Sequence, residues 1–166
     1  MLLIGAAGSG KSTFARQWFA ATDVISSDAL RQAARPAGKK RRTDVFEAIL
    51  RALEPRLTAG ELTVVDATNT DWMRRSTMLA MARERARPAI AIVFNPTIEE
   101  TLRRNRERAD RRVPDSTVRE QQAAIARDLD RLDLEGFVKV VVLDATAPAT
   151  VNLETKRGPV TRTSFS

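Results

Sequence analysis

Residues 5–12 read Gly5-Ala6-Ala7-Gly8-Ser9-Gly10-Lys11-Ser12, and they match the pattern G-x-x-x-x-G-K-[ST] at every fixed position. The apolar run Met1-Leu2-Leu3-Ile4 precedes this stretch, and residues 13–21 after it have apolar side chains at helical spacing. Glycines let consecutive backbone N–H groups wrap a polyphosphate with no Cβ in the way, and the N-terminus of the following helix adds partial positive charge. The stretch therefore predicts a phosphate-binding loop, or P-loop, between a buried strand and a helix.

The P-loop contains the first residues that we assign to a bound nucleotide. Lys11 is predicted to bridge the β- and γ-phosphates, and the Ser12 hydroxyl is predicted to hold the Mg²⁺ that neutralises them. The nucleotide contacts predicted within the loop are Gly8, Ser9, Gly10, Lys11, Ser12 and Thr13. The ligand indicated is Mg-ATP or Mg-GTP. A glycine-rich turn without a ligand would match the same pattern, but the strand before it and the helix after it favour the P-loop.

The composition describes one soluble globular domain of 166 residues, long enough to bury a core. Cysteine is absent, which excludes disulfides and thiolate metal sites. Histidine and tyrosine are absent too, so a general base must be a carboxylate or, less readily, a lysine. The candidate catalytic bases are therefore the aspartates and glutamates.

The formal net charge is +7, and most of the positive charge is arginine. A basic protein attracts nucleic acid or acidic membrane surfaces, and arginine suits bidentate contacts to phosphate. An arginine-rich surface without such a partner is the alternative interpretation. The chain has no apolar run long enough to span a bilayer and no signal-peptide pattern, so we expect a cytoplasmic protein with no membrane partner.

Short apolar strands alternate with helical segments along the chain. Alternation of this kind predicts a parallel sheet with crossover helices, and we expect an α/β P-loop NTPase fold with about five parallel strands flanked by helices. Residues 1–143 are predicted to form this domain. Residues 144–166 are rich in Thr, Pro, Ala and Ser and are predicted to be a tail or a linker.

Two aspartates follow predicted strands, where ligands of α/β sheets bind. Asp28 is a candidate general base or a helix cap, and Asp66 is a candidate Mg²⁺ ligand or a residue that orders the next loop. Arg31 follows Asp28 by three residues and is predicted to hold an anionic group near the accepting hydroxyl. Arg104 and Arg108 are four apart in a predicted helix, so we expect them on one face of a lid, at about 103–114, over the phosphates.

Four motifs together resemble the polynucleotide 5′-hydroxyl kinases, over roughly residues 1–143. The similarity is greatest to the kinase module of bacterial end-healing polynucleotide kinase-phosphatases, and the phage enzyme is a more distant relative. The motifs are the P-loop, Ser26-Ser27-Asp28-Ala29-Leu30-Arg31, Leu62-Thr63-Val64-Val65-Asp66-Ala67-Thr68-Asn69, and Arg104-Asn105-Arg106-Glu107-Arg108 ahead of Val113-Pro114.

The resemblance implies an adenylate-kinase-like fold with an arginine-bearing lid, and phosphorylation of the 5′-hydroxyl end of DNA or RNA by Mg-ATP in nucleic acid repair. Matched residue by residue, it implies nucleotide and Mg²⁺ contacts at Lys11 and Ser12, a general base at Asp28, an acceptor-phosphate contact at Arg31 and lid arginines at Arg104 and Arg108. The family's acidic, glutamine-containing segment is replaced by Pro36–Arg42, which includes four consecutive cations. This departure leaves the acceptor open.

Two other functions fit the same residues. One is a P-loop kinase of a small alcohol such as a nucleoside, a sugar or an antibiotic, which would use the same base. The other is a regulatory protein that binds and slowly hydrolyses ATP. Because no phosphatase or ligase sequence follows, we expect either a stand-alone kinase or a module fused to, or associated with, such enzymes.

Overall fold

The computed structural model describes residues 1–34, 45–109 and 111–144. The strands are β1 (Leu2–Ile4), β2 (Val24–Ser26), β3 (Val64–Asp66), β4 (Ile90–Asn95) and β5 (Lys139–Asp144). The helices are α1 (Lys11–Trp18), α2 (Ser27–Ala33), α3 (Val45–Ala59), α4 (Trp72–Glu84), α5 (Ile98–Glu107) and α6 (Asp115–Asp128), with 3₁₀ turns at Ala21–Asp23 and Leu129–Leu134. The basic stretch Pro36–Arg42 and the predicted tail from residue 145 onward lie outside the described residues.

The five strands form one parallel sheet in the order β2-β3-β1-β4-β5. The first strand of the chain is therefore the central strand, with Leu2 paired to Val65 on one side and Ile4 paired to Val93 on the other. This arrangement confirms the predicted parallel sheet of about five strands. Because the carboxyl ends of parallel strands meet at one edge, the loops after β1, β2 and β3 converge there.

Two apolar clusters cover the faces of the sheet. Leu2 and Ile4 belong to one cluster and Leu3 to the other, as expected from side chains that alternate across a strand. On the Leu3 side, the ring of Phe14 in α1 makes an edge contact with the ring of Phe94 in β4, with centroids 5.3 Å apart. These contacts hold the helix that follows the P-loop against the sheet.

Two helices, α2 and α6, begin at capping residues that the sequence did not predict. Strand β2 ends at Ser26, and the Ser26 side chain accepts a hydrogen bond from the Ala29 N–H. Ser26 is thus the cap of α2, and Asp28 lies in the first helical turn with its carboxylate available for other contacts. At α6 the capping position is Pro114, which makes no side-chain hydrogen bond to the helix.

Helix α5 ends earlier than predicted. Its last residue is Glu107, and Arg108 has an extended backbone with φ −65° and ψ 126°. Arg108 is thus the residue that follows the last turn, and it lines one cavity together with Arg104, so what differs from the prediction is the length of the helix. The physical reason is Asn105, whose side chain is buried and makes two hydrogen bonds with the backbone of Val113, at 2.7 and 3.2 Å. This pairing turns the chain back before the helix can continue.

Helix α3 continues through Pro55 and ends at Ala59.

None of the helices within the described parts of the chain is long and apolar enough to cross a membrane.

Candidate active site

The P-loop leaves β1 and enters α1 through two glycines with a left-handed backbone, Gly8 at φ +86° and Gly10 at φ +103°. A Cβ at Gly8 would lie 2.4 Å from the backbone oxygen of Thr101 in α5. Glycine is required here for two reasons, the positive φ and the close approach to a neighbouring helix. Gly10 occupies the cap position of α1 without a side-chain hydrogen bond, which leaves the helix N-terminus directed at the loop.

Lys11 is buried beneath the loop. Its ammonium group donates hydrogen bonds to the backbone oxygens of Gly5 and Ala6, both at 2.8 Å, and to Ser9 Oγ at 3.2 Å. Burial lowers the pKa of Lys11 to about 8, a shift that the carboxylates of Asp66 and Asp28 partly oppose. The ammonium group therefore remains mostly charged at pH 7, as a phosphate contact requires.

Asp66 is the last residue of β3, and its side chain is buried next to Lys11. The loop after it is attached to the P-loop strand, because the Gly5 N–H donates to the Thr68 backbone oxygen at 3.0 Å and Asn69 Nδ2 donates to the Leu3 backbone oxygen at 2.7 Å. Asp66 is thereby held at the same edge of the sheet as the P-loop.

A buried arginine supports this loop from below. Arg75 in α4 is 1% exposed and donates to the backbone oxygen of Asn69 at 2.9 Å. It also forms ion pairs with Glu135 at 2.5 Å and Asp128 at 3.0 Å. The sequence offered no signal for this cluster, since its charged members are 53 and 60 residues apart in the chain.

Asp28 lies among three arginines. Its carboxylate accepts hydrogen bonds from Arg31 at 2.5 Å, Arg111 at 2.8 Å and Arg108 at 3.3 Å. Partial burial raises the pKa of Asp28, but the hydrogen bonds from Arg111 and Arg108 and the charge of Arg31 outweigh it and leave the pKa below its ordinary value. Asp28 is therefore ionised at neutral pH, as a proton acceptor must be.

Three cavities meet at Ser12 and Arg108, which line all of them. A cavity of about 390 Å³, which we call the P-loop cavity, is also lined by Gly8, Gly10, Lys11, Thr13 and Arg104. A cavity of about 220 Å³ contains Lys11, Asp28, Arg31, Phe46, Asp66, Asp71, Arg74, Arg111 and Gln121, and we call it the arginine cavity. A third, of about 590 Å³, runs past Phe19, Ser26 and Asp28.

The structure thus brings most of the residues predicted from sequence to these cavities. Ser9 is the exception, since it is buried and accepts from Lys11. Arg104 lines the P-loop cavity and donates to Glu100 at 2.6 Å. Arg108, the residue directly after α5, lines the same cavity as Arg104.

Sequence reasoning missed two contacts at the site. Arg111 lies in the arginine-rich run that the sequence displays, but no spacing rule connects it with Asp28, 83 residues earlier. Gln121 in α6 accepts a hydrogen bond from the Ala7 N–H of the P-loop at 2.9 Å, and no motif marks it.

The residues present fit a nucleotide and Mg²⁺. The glycine backbone, the buried Lys11 ammonium and the uncapped N-terminus of α1 converge on one loop, an arrangement suited to a polyphosphate. Among the described residues, no group of three acidic, histidine or cysteine side chains could hold a metal by itself. A Mg²⁺ ion at Ser12 and Asp66 would therefore take its other ligands from phosphate oxygens and water, as Mg²⁺ usually does.

The fold and the site define a protein with the P-loop kinase fold. The chain belongs to the family of AAA domains, whose family model matches residues 1–128. No curated protein sequence matches the chain.

Several solved structures share the fold. A gluconokinase from Sinorhizobium meliloti 1021 has 21% identity and a TM-score of 0.56, with 89% of this chain and 82% of that chain covered. The Pnkp1/Rnl/Hen1 RNA repair complex has 25% identity and a TM-score of 0.63, with 80% of this chain covered but only 45% of that chain. Kti12 of Chaetomium thermophilum, in complex with ADP-AlF3, has 16% identity and a TM-score of 0.62, with coverage of 89% and 90%.

Proposed function

We propose that this protein is a polynucleotide 5′-hydroxyl kinase, which transfers the γ-phosphate of Mg-ATP to the 5′-hydroxyl end of DNA or RNA during end repair. The observation that carries the proposal is the position of Asp28. Its ionised carboxylate lies among Arg31, Arg108 and Arg111 in a cavity that adjoins the P-loop. A base and several cations are thus present beside a phosphate-binding loop.

The chemistry follows from these positions. The oxygen of the acceptor hydroxyl bonds to the γ-phosphorus, and Asp28 accepts the proton that this oxygen loses. The bond between the γ-phosphorus and the bridging oxygen breaks, and ADP leaves. Lys11, Arg104 and Arg108 offset the negative charge of the phosphates. Mg²⁺, held by Ser12 and Asp66, would add charge neutralisation when bound. The cations and the base act by position and need no covalent intermediate.

The charge of the arginine cavity supports an anionic acceptor. Arg31, Arg74 and Arg111 all line it, and arginine matches the geometry of a phosphodiester. The net charge of +7 is consistent with the same acceptor. One structural relative at 25% identity comes from an RNA repair complex, which adds support for this class of substrate.

The second candidate is phosphorylation of a small alcohol. The arginine cavity is only about 220 Å³, below the range typical of drug-sized ligands, and it can hold a sugar or a sugar acid. A carboxylate on such a molecule would also bind the arginines. A gluconokinase is among the proteins that share the fold.

The test is transfer of labelled γ-phosphate from Mg-ATP to a single-stranded oligonucleotide with a 5′-hydroxyl, next to the same strand already 5′-phosphorylated. We expect label only on the hydroxyl strand. Asp28→Asn should reduce the rate by about 10²- to 10⁴-fold, the usual contribution of a general base. Asp130→Asn, which removes an exposed carboxylate far along the chain, is the matched control and should leave the rate unchanged.

The small-alcohol candidate is tested in the same assay with gluconate, free sugars and nucleosides. Label on one of these and on neither strand would replace the polynucleotide proposal. ATP hydrolysis that is equal in the wild type and Asp28→Asn, without label on any acceptor, would instead indicate a regulatory nucleotide-binding protein.

A further inference from the structure

One arginine of the arginine cavity differs from the others in its contacts. The guanidinium carbon of Arg74 lies 5.1 Å from the centroid of the Phe46 ring, a cation–π arrangement between α4 and α3. Arg74 Nε also lies 3.6 Å from Asp71 Oδ2. Arg31 and Arg111, in contrast, bond to the proposed base Asp28. Arg74 is therefore placed by an aromatic ring, and the transfer reaction described above gives it no specific part.

The position of the Phe46 ring is fixed by packing. The ring is half-buried and packs against the apolar core that includes Ile49 and Leu53. Asp71, which caps α4, pairs with the Nε edge of Arg74. The Arg74 side chain nevertheless remains 53% exposed and lines the arginine cavity, as does Phe46. Because the side chain is half exposed where it lines the cavity, a ligand in the cavity can contact it.

We propose that the Arg74 guanidinium, supported by Phe46, is a stacking platform for the 5′-terminal nucleobase of the acceptor strand. The inference rests on the proposed function and adds to it a binding site for the base. Arginine planes and aromatic rings stack on nucleobases with little dependence on sequence, because every base has a π-face. Asp28, the proposed general base, lines the same cavity, so a terminal nucleotide whose nucleobase stacks on Arg74 lies in the cavity where the proton is accepted.

This platform has a consequence for substrate choice. The arginine cavity, at about 220 Å³, is too small to admit a base pair. The terminal base must therefore be unpaired to reach Arg74, so single-stranded or frayed ends are the preferred acceptors. Since the contact is to a π-face, all four bases should be accepted at the terminal position.

The test compares two acceptors that differ only in the terminal base, a 5′-hydroxyl strand and the same strand with an abasic 5′-terminal nucleotide. In the wild type we expect kcat/KM to be about 5- to 150-fold lower for the abasic strand, which corresponds to about 1–3 kcal/mol of stacking. Arg74→Ala should lower kcat/KM for the normal strand by the same factor and leave the abasic strand nearly unchanged. Arg74→Lys keeps the charge without the plane and should behave like Arg74→Ala.

The control is Arg51→Ala, which removes an exposed arginine paired with Glu47 on α3 and should change neither acceptor. Thermal unfolding and Mg-ADP affinity should be the same in Arg74→Ala as in the wild type. Two results would show that Arg74 is a simple charge contact and that the platform does not exist. One is an equal loss of kcat/KM for both strands in Arg74→Ala, and the other is wild-type kcat/KM for the normal strand in Arg74→Lys.

Binding of the two strands labelled at the 3′ end, measured by fluorescence anisotropy without ATP, separates this inference from the proposed function. Transfer to no strand, with normal strands still bound better than abasic ones and the difference lost in Arg74→Ala, would refute the kinase proposal and keep the platform. Equal binding of both strands to the wild type would refute the platform.

Discussion

At the scale of single residues, the protonation of Asp28 depends on an arginine from another part of the chain. Burial raises the pKa of Asp28, and the hydrogen bond from Arg111 is the first of the contacts that lower it. The net pKa is depressed, so the contribution of the ionised form to stability is present above the ordinary value of about 3.9 and is lost as the pH falls through the folded-state pKa.

We expect Arg111→Ala to raise the pKa of Asp28, because burial continues to act while the largest opposing contact is gone. A ¹³C NMR titration of the aspartate carboxyl groups measures this, with Asp28→Asn to identify the resonance. Arg112→Ala removes the exposed neighbouring arginine and should leave the Asp28 titration where it is. A downward shift in Arg111→Ala would show that Arg111 does not stabilise the carboxylate.

Arg108 links the base to the P-loop, since it bonds to Asp28 at 3.3 Å and lines the P-loop cavity as well. If Arg108 turns to the phosphates when ADP binds, the wild type loses part of an ion pair. We therefore expect Asp28→Asn to bind Mg-ADP about 1.5- to 5-fold more tightly, the range of a partly exposed pair of about 0.2–1 kcal/mol.

Calorimetric titration with Mg-ADP measures this change, and Arg108→Ala completes a double-mutant cycle. In the Arg108→Ala background, Asp28→Asn should have no effect on ADP affinity. Weaker ADP binding by Asp28→Asn in both backgrounds would mean that Arg108 and Asp28 do not compete in this way.

At the scale of elements, the turn after α5 depends on the side chain of Asn105. Asn105→Ala would leave the N–H and the backbone oxygen of Val113 without their partners, at a cost of about 1–3 kcal/mol. We expect the Tm to fall by about 2–12 °C and hydrogen exchange at the Val113 amide to accelerate. Arg112→Ala, in the same segment, should change neither. Unchanged exchange at Val113 in Asn105→Ala would show that other contacts hold the turn.

This turn also marks the limit of what the sequence could predict. The order of strands and helices and the P-loop follow from periodicity and one motif, both of which are local. The end of α5 does not follow from them, because the residues after Glu107 include arginines, which favour helices. The helix ends because Asn105 pairs with the backbone of Val113, eight residues later. Arg111 was missed for the same reason, since its position near Asp28 depends on where the chain turns.

Arg74 and Phe46 were missed for a different reason. They lie on separate helices, and their residue types are common on helix surfaces and in cores, so no spacing connects them in the sequence. Ser26 was overlooked as the cap of α2 because Asp28, two residues later, is an equally good capping residue. Only the end of β2 decides between them.

At the scale of the whole molecule, Arg75 joins α4, α6 and the turn before β5. Without Arg75, the carboxylates of Asp128 and Glu135, 13% and 17% exposed, lose a partner that is 1% exposed. Removal of one partner from a buried ion pair costs about 3–5 kcal/mol. We therefore expect Arg75→Leu to lower the Tm by about 6–20 °C in differential scanning calorimetry. Glu135→Gln should have a smaller effect in the same direction.

Arg74→Ala is the matched control for Arg75, since it changes the adjacent arginine of the same helix, and it should alter the Tm by little. Equal Tm values for Arg74→Ala and Arg75→Leu would show that the buried cluster does not stabilise the fold.

The charge of the molecule predicts how acceptor binding depends on salt. If Arg31 and Arg111 in the arginine cavity each contact a backbone phosphate, the logarithm of affinity for a single strand should fall with the logarithm of salt concentration with a slope of about −1.4. Arg111→Ala should make this slope shallower by about 0.7. A slope near zero would favour a small uncharged acceptor. Anisotropy titrations from low to moderate salt measure it.

The central position of β1 determines when the P-loop can form during folding. Ile4 pairs with Val93 and Leu3 with Asp66, so the strand that carries the P-loop gains both neighbours only after some ninety residues of chain are available. Contacts of such long sequence separation form slowly, because closure of large loops must precede them. During synthesis β1 therefore emerges well before the sheet around it can form, and the strand that carries the P-loop lacks one of its two neighbours until β4 has been made.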